Sequence, residues 1–218
     1  MSIVLETERL ILRTWTLDDF EDLAAMLADP KVMAFLAIDG KPESRFGAWR
    51  ALCGLAGHWQ LLGFGMFAVI DRASGAFVGR VGPWQPEGWP DFEIGWALRS
   101  QYWGRGYAME AANRCITYAF TDLGRDHLSS FIMPANSRSI RVAERIGGAP
   151  RRRNSPAAST RSNGAPVRPL ARRVETSRAM KDAGRLKPAP TYESSAPARG
   201  GSDPDWISGK YAIDIEIE

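Results

Sequence analysis

At 218 residues, with 44% hydrophobic and 24% charged residues, the chain is long enough to bury a sizeable core and has the balance of an ordinary globular domain. No apolar run approaches membrane-spanning length, and residues 1–6 lack the basic and apolar regions of a secretory leader, so the expectation is a cytoplasmic protein with no membrane partner. Two cysteines (Cys53, Cys115) and two histidines (His58, His127) show no ligand spacing; they read as packing or surface residues and suggest neither a disulfide, a metal site nor a Cys–His nucleophile.

In chain order, Leu10-Ile11-Leu12 opens a strand. Thr16-Leu17-Asp18-Asp19 starts a helix whose apolar members Phe20, Leu23, Ala24 and Leu27 keep helical spacing until Asp29-Pro30 ends it. A second helix is expected over about residues 44–60. Residues 65–71 and 76–82 read as the two strands of a hairpin turning at residues 72–75, and residues 83–90 as a loop carrying Trp84 and Trp89. Residues 92–98 place large apolar groups at every second position, the period of a half-buried strand. Ala108, Ala111, Ala112, Cys115, Ile116, Ala119, Phe120 and Leu123 then recur as one face of a helix, with Gly124 as its stop. Residues 128–133 form the next strand and residues 137–146 the next helix, ended by Gly147-Gly148.

Beyond Pro150 the composition changes. Residues 151–201 carry 12 Lys/Arg against 3 Asp/Glu, a net +9, with no Phe, Trp or Ile. So little apolar surface cannot offset the entropy of ordering, and residues 150–205 read as a disordered, basic, low-complexity insertion. Residues 1–150 carry 15 Lys/Arg and 17 Asp/Glu, so the overall charge of +3 belongs to the insertion and implies no basic catalytic face. Nucleic-acid affinity through the insertion is the weaker reading, because aromatic interleaving and a folded binding motif are both lacking. Tyr211, Ile213, Ile215 and Ile217 alternate with polar or small residues, so residues 206–218 read as the sheet's last strand.

The chemistry concentrates between the strand at 92–98 and the helix after it, in Gln101-Tyr102-Trp103-Gly104-Arg105-Gly106-Tyr107-Ala108. A strand turning through two glycines into a helix presents unbonded N–H groups and the positive helix end, a natural seat for phosphate. Side chains at Gly104 or Gly106 would hold such a ligand off the backbone. The dinucleotide fingerprint is excluded because Met109 stands where its third glycine would be, and no P-loop run occurs.

The pattern Q-x-x-G-x-G/A resembles the acetyl-CoA signature of the GNAT N-acetyltransferases. Residues 7–13 (Thr-Glu-Arg-Leu-Ile-Leu-Arg), 103–111 and 136–147 are similar to its ribosomal-protein N-terminal (Rim-type) branch, and the likeness covers residues 3–149. It implies a mixed, mostly antiparallel α+β sheet flanked by helices, with residues 1–149 as the acetyltransferase core, and acetyl transfer from acetyl-CoA to a protein N-terminus or small-molecule amine without a metal. The cofactor would be held at Leu98, Gln101, Trp103, Gly104, Arg105, Gly106, Ala108 and Asn136; Arg105 reads equally as a solvated side chain. Glu93, where the family often places a carboxylate, is the candidate base. The family's tyrosine acid falls at Ala143, so Ser139 is the candidate donor, its alternative being capping or packing. Glu110, in the first turn of the phosphate helix, reads as helix stabilisation. Trp84, Trp89 and Trp96 read as core or as walls of an acceptor pocket. The resemblance admits a homodimer. Two strands normally follow the helix ending at Ile146, and the first is hard to find here; with that wall broken, the alternative is an inactive acyl-CoA binder.

Overall fold

The computed structural model of the chain describes residues 3–37, 39–150 and 211–215. Its eight strands are β1 (Val4–Glu6), β2 (Leu10–Arg13), β3 (Phe67–Asp71), β4 (Phe77–Trp84), β5 (Glu93–Leu98), β6 (Leu128–Ile132), β7 (Gly148–Pro150) and β8 (Tyr211–Ile215). They form one mixed sheet in the order β1-β2-β3-β4-β5-β6-β8-β7, antiparallel everywhere except between β5 and β6. Five helices, α1 (Phe20–Leu27), α2 (Pro30–Leu36), α3 (Arg45–Leu62), α4 (Tyr107–Thr121) and α5 (Ser137–Arg145), flank it.

The two faces of the sheet are covered by different helices. The apolar stripe of α4, including Ala111, Ala112, Cys115 and Ala119, packs on Leu10, Leu12, Phe67, Val69, Val81 and Ile94. Leu23, Met26, Val32, Met33, Leu52 and Leu55 of α1–α3 close over Met66, Ala68 and Phe77 on the other side. Helix α5 sets Ala143 against Ile132 and Ile213 beyond the parallel pair.

Four local features differ from the sequence reading. Asp29-Pro30 ends one helix and also begins α2, because the Asp29 carboxylate accepts the Lys31 N–H at 2.8 Å and Pro30 takes the first helical turn, where its missing N–H costs nothing. Strand β4 runs through Pro83 and Trp84 rather than ending at residue 82; its pairing with β3 stops at Val81, so Pro83 removes no ladder bond there. Strand β1 is an additional edge strand, paired with β2. Gly147, at φ +89°, stops α5, but Gly148 already belongs to β7, the strand that seemed missing. A Cβ at Gly148 would lie 2.7 Å from both the Ala143 carbonyl and Ile213 Cγ2, so only glycine lets β7 approach α5 and β8 this closely.

Of the expected last strand at residues 206–218, Tyr211–Ile215 form β8, which lies between β6 and β7; the remaining residues lie outside the described ones. The inward residues are Ile213 and Ile215, while Ala212 and Asp214 are half-exposed. His127, isolated in the sequence, lies 3.1 Å from Asp91 and 3.2 Å from Ser129, with Asp214 of β8 at 3.6 Å. This polar cluster joins β6 and β8 to the segment ahead of β5. The expected disordered insertion, residues 150–205, lies outside the described residues except for Pro150.

Because Ile215 is 1% exposed and joins the main core, replacing Ile215 with Ala should lower stability by about 2–5 kcal/mol. Urea unfolding checks this, and a variant within 0.5 kcal/mol of the wild type, roughly the effect of a neutral surface change, would place β8 outside the cooperative core.

Candidate active site: two clefts meeting at a split in the sheet

Strands β5 and β6 pair at a single position, Glu93 with Ser129, marked by a bond from the Ser129 N–H to the Phe92 carbonyl at 2.9 Å. Beyond it the strands separate. The backbone groups released are partly satisfied by side chains: Ser130 Oγ donates to the Ile94 carbonyl at 2.6 Å, the Phe131 N–H reaches Glu93 Oε1 at 3.4 Å, and the Trp103 indole donates to the Leu98 carbonyl at 2.9 Å.

On one side of the split a cleft of about 1250 Å³ runs from Trp96 and Leu98 past the glycine turn to α5. Gly104 and Gly106 have φ of +77° and +79°, a conformation that other residues rarely adopt. Gly106 is the N-cap of α4 and no side chain caps that helix end, so the N–H groups of its first turn lack helical and side-chain acceptors. Arg138, Arg141 and Arg145 of α5 line the opposite wall, so backbone N–H groups and cations converge on one channel.

This turn is fixed from behind by the Thr7-Glu8-Arg9 segment. Glu110 Oε1 accepts from Thr7 Oγ1 at 2.6 Å and from the Arg9 N–H at 2.9 Å, while Arg9 Nε reaches Oε2 at 2.7 Å. Arg9 also donates to the Arg105 carbonyl at 3.0 Å and lies over the Tyr107 ring, 4.7 Å from its centroid. Glu110 is therefore a structural anchor, and these bonds hold its pKa below the usual carboxylate value. Tyr107, the first residue of α4, donates from its hydroxyl to Asp71 Oδ2 at 2.7 Å.

The expected cofactor residues do not all reach the cleft. Gln101, Trp103, Gly104, Gly106, Ala108 and Asn136 line it. Leu98 lines it too, but its side chain is buried in the main core and its carbonyl is taken by Trp103, which restricts its contribution. Arg105 is absent from the lining: it lies on the outer side of the turn, with its guanidinium 5.4 Å from the Tyr102 ring centroid.

The second space is a cavity of about 210 Å³ on the α1–α3 side, lined by Trp84, Trp89, Trp96, Phe131, Arg80 and Glu93 among others. Glu93 is 8% exposed, and the Trp89 indole donates to its Oε2 at 2.9 Å. Trp84 stacks on His58 at 4.5 Å between centroids; His58 is held by Phe64 and Gln85, and burial lowers its pKa. The three tryptophans are thus walls as well as packing residues. Phe35, Leu36, Trp96, Ala97, Asn136 and Ser139 line both spaces, which marks the place where they meet. At that junction the Asn136 side chain caps α5 by accepting the Ser139 N–H at 3.1 Å, and Ser139 Oγ accepts from the Trp96 indole at 3.2 Å, leaving the hydroxyl proton to donate elsewhere. Arg80, not singled out in the sequence, is the further charged group of the cavity.

A profile of the acetyltransferase (GNAT) domain matches residues 9–149. The chain belongs to the GNAT acetyltransferase family. An acetyltransferase of Agrobacterium tumefaciens is 32% identical to this GNAT chain and superposes with a TM-score of 0.64 over 71% of this chain and 87% of its own. The uncharacterized N-acetyltransferase p20 of Bacillus licheniformis is 30% identical over 63% of this chain and 78% of its own. The YkkB protein of Bacillus subtilis is 39% identical, a match spanning 39% of this chain and only 51% of YkkB. The ribosomal-protein-S5-alanine acetyltransferase of Vibrio fischeri, at 18% identity and TM-score 0.55, shares the fold alone. The family fixes acetyl transfer, with acetyl-CoA as co-substrate, as the general chemistry.

Hydrogen bonds from Tyr107 and Ser74 hold the Asp71 carboxyl down at about 2, below its ordinary 3.8. A depressed carboxyl stabilises the fold fully above its unfolded value and loses that contribution as pH falls through the folded one. Asp71→Asn should therefore be less stable than the wild type at pH 7, with the gap in Tm narrowing between about pH 4 and pH 2. Thermal denaturation of both proteins over that range tests it; a gap independent of pH contradicts it.

Proposed function

We propose that the chain binds the pyrophosphate of acetyl-CoA at the Gly104–Gly106 turn and transfers the acetyl group to a primary amine lodged in the Trp-walled cavity, by direct attack in a ternary complex. The observation that carries this reading is the junction of the two spaces at the split between β5 and β6, which brings a thioester in one within reach of an amine in the other. Glu93, on the cavity side, removes a proton from the incoming ammonium, directly or through water, because only the neutral amine has a lone pair for the carbonyl carbon. The carbon–sulfur bond then breaks, and the Ser139 hydroxyl, at the junction, supplies a hydrogen bond or proton to the departing thiolate. Asn136 Nδ2 is placed for the pantetheine arm, its Oδ1 being committed to the α5 cap. The acceptor is a protein N-terminus, as in the Rim-type branch, or a small-molecule amine.

Strands β7 and β8 favour an enzyme over an inert acyl-CoA binder. They complete the wall beyond β6 that the sequence left open, with Ile132 of β6 and Ile213 of β8 packed together against α5.

Two variants test the reading. Gly106→Val forces a β-branched residue to φ +79° and sets its Cβ 3.4 Å from Arg9 Nη2, so acetyl-CoA affinity and the thermal stabilisation it confers should be lost. Wild-type affinity in that variant overturns the binding site. Glu93→Gln keeps the side chain's shape and removes the base: kcat should fall about 10²–10⁴-fold at neutral pH and recover partly at higher pH, with acetyl-CoA affinity unchanged. A pH–rate profile that overlays the wild type removes Glu93 from the proton transfer.

A further inference from the structure

The acceptor cavity contains a second fixed charge for which the transfer chemistry has no use. The β4–β5 register pairs Arg80 with Ala97, Gly82 with Gly95, and Trp84 with Glu93, and strand alternation puts all six on one face of the sheet. The two glycines contribute no side chain to that face between Arg80 at one end and Trp84 with Glu93 at the other, and the Met66 side chain reaches over Gly95, where a Cβ would lie 2.6 Å from its Cε. The floor of the cavity is therefore strand backbone and the end of the Met66 side chain, about 13 Å long from Arg80 to Trp84 at the usual rise per residue, with a cation and a carboxylate toward opposite ends.

Arg80 is half-buried and lines the cavity. Its Nε is buried and has no hydrogen-bond partner among the described residues. Desolvation lowers the guanidinium's pKa and the charge of Glu93 works against that fall, so the two groups sense each other across the cavity. A buried guanidinium donor left unsatisfied is costly, and a planar fork of N–H groups is best matched by a carboxylate. Arg125 Nε is likewise buried without a partner, but its guanidinium lies over the Phe92 ring, 4.2 Å from the centroid, whereas Arg80 lines a cavity.

Resting on the transferase reading above, we propose that the acceptor is a small amine bearing its own carboxylate, an amino-acid-class substrate whose carboxylate docks on Arg80 while its amine faces Glu93 and the thioester. The size of the cavity agrees. About 210 Å³ is below the range of drug-sized ligand pockets, roughly 300–1,000 Å³, and suits a molecule of this class better than several residues of a polypeptide. Trp84, Trp89 and Phe131 provide apolar walls that exclude water and strengthen both charge contacts. In this arrangement Arg80 is a specificity residue, and Glu93 remains the group that handles the proton.

The test compares matched acceptors with the full-length chain saturated in acetyl-CoA, read by thiol release: alanine, β-alanine and 4-aminobutanoate, the C-terminal amide of each, and a short peptide amide beginning with alanine. The best free acid should exceed its own amide and the peptide in kcat/KM by on the order of tenfold to a hundredfold, the range expected for one charge-assisted contact, and mostly through KM. In Arg80→Met that acid-to-amide ratio should collapse to within about threefold, and Arg80→Lys should keep part of it. Equal use of acid and amide by the wild type overturns the proposal whatever the variants do, as does a ratio that survives Arg80→Met. If no amine releases thiol, the transferase reading fails, and the carboxylate site is judged by thermal shift. Stabilisation by the acid and not its amide, lost in Arg80→Met and partly restored in Arg80→Lys, sustains the site; equal shifts remove it.

Discussion

The active-site architecture depends on one interrupted ladder. Parallel strands ordinarily continue pairing because each unpaired N–H or C=O in a protein interior costs free energy comparable to a lost hydrogen bond. Here β5 and β6 touch at Glu93 and Ser129 and then part. What makes the separation tolerable is visible in the same few residues: the Ser130 hydroxyl takes the Ile94 carbonyl, the Trp103 indole takes the Leu98 carbonyl, and the Glu93 carboxylate faces the Phe131 N–H. Glu93 thus sits at the apex of the split as a consequence of holding it open, with its carboxylate on the side of the smaller cavity.

The anion turn obeys the same logic at the other end of β5. Two glycines in the left-handed region are conformationally expensive to order, and a loop of that kind would fluctuate unless tied. Thr7, Arg9 and Asp71 tie it through Glu110, the Arg105 carbonyl and Tyr107, using side chains from β3 and from the turn between β1 and β2. The Thr7-to-Arg13 motif therefore needs no contact with a ligand to matter for binding. Its first half braces the start of α4, and its last residue, Arg13, fixes the start of α1 through a two-pronged pair with Asp19. That pair is partly exposed, so its stabilising value is modest; what it contributes is geometry.

Much of this was legible because it is local. The period of residues 92–98, the helical stripe from Ala108 to Leu123 and the two glycines between them are patterns of consecutive residues, and they placed the strand, the glycine turn and the helix without reference to the rest of the chain. Features defined by register or distant packing were not legible. Arg80 is an ordinary charged residue in a strand until the β4–β5 pairing sets it opposite Ala97, on the face it shares with Gly95 and Glu93. His127 has no visible partner until β8 and the segment before β5 bring Asp214 and Asp91 to it. Strand β7 is three residues containing a glycine and a proline, a composition that signals a stop, and it is a strand only because β8 provides its ladder. The Asp29-Pro30 pair is ambiguous in a different way, since the residues that close one helix can cap the next.

The position of β8 also has a consequence for the order in which the molecule can be built. The last of the described strands in chain order is not at the sheet's margin; β7 reaches the sheet only through it. Between the two lie residues 151–210, and at ribosomal rates of roughly 5–20 residues per second about 3–12 s separate the appearance of β7 from that of β8. For that interval the nascent chain carries β6 as an open edge, a row of unpaired N–H and C=O groups beside the apolar Leu128 and Ile132. The Gly104–Gly106 turn and α4 are synthesised well before then. The part of the sheet from β1 to β5 with α4 can thus assemble during translation, while the part beyond β6 waits for β8, and an open edge held for that long is exposed to pairing with other chains.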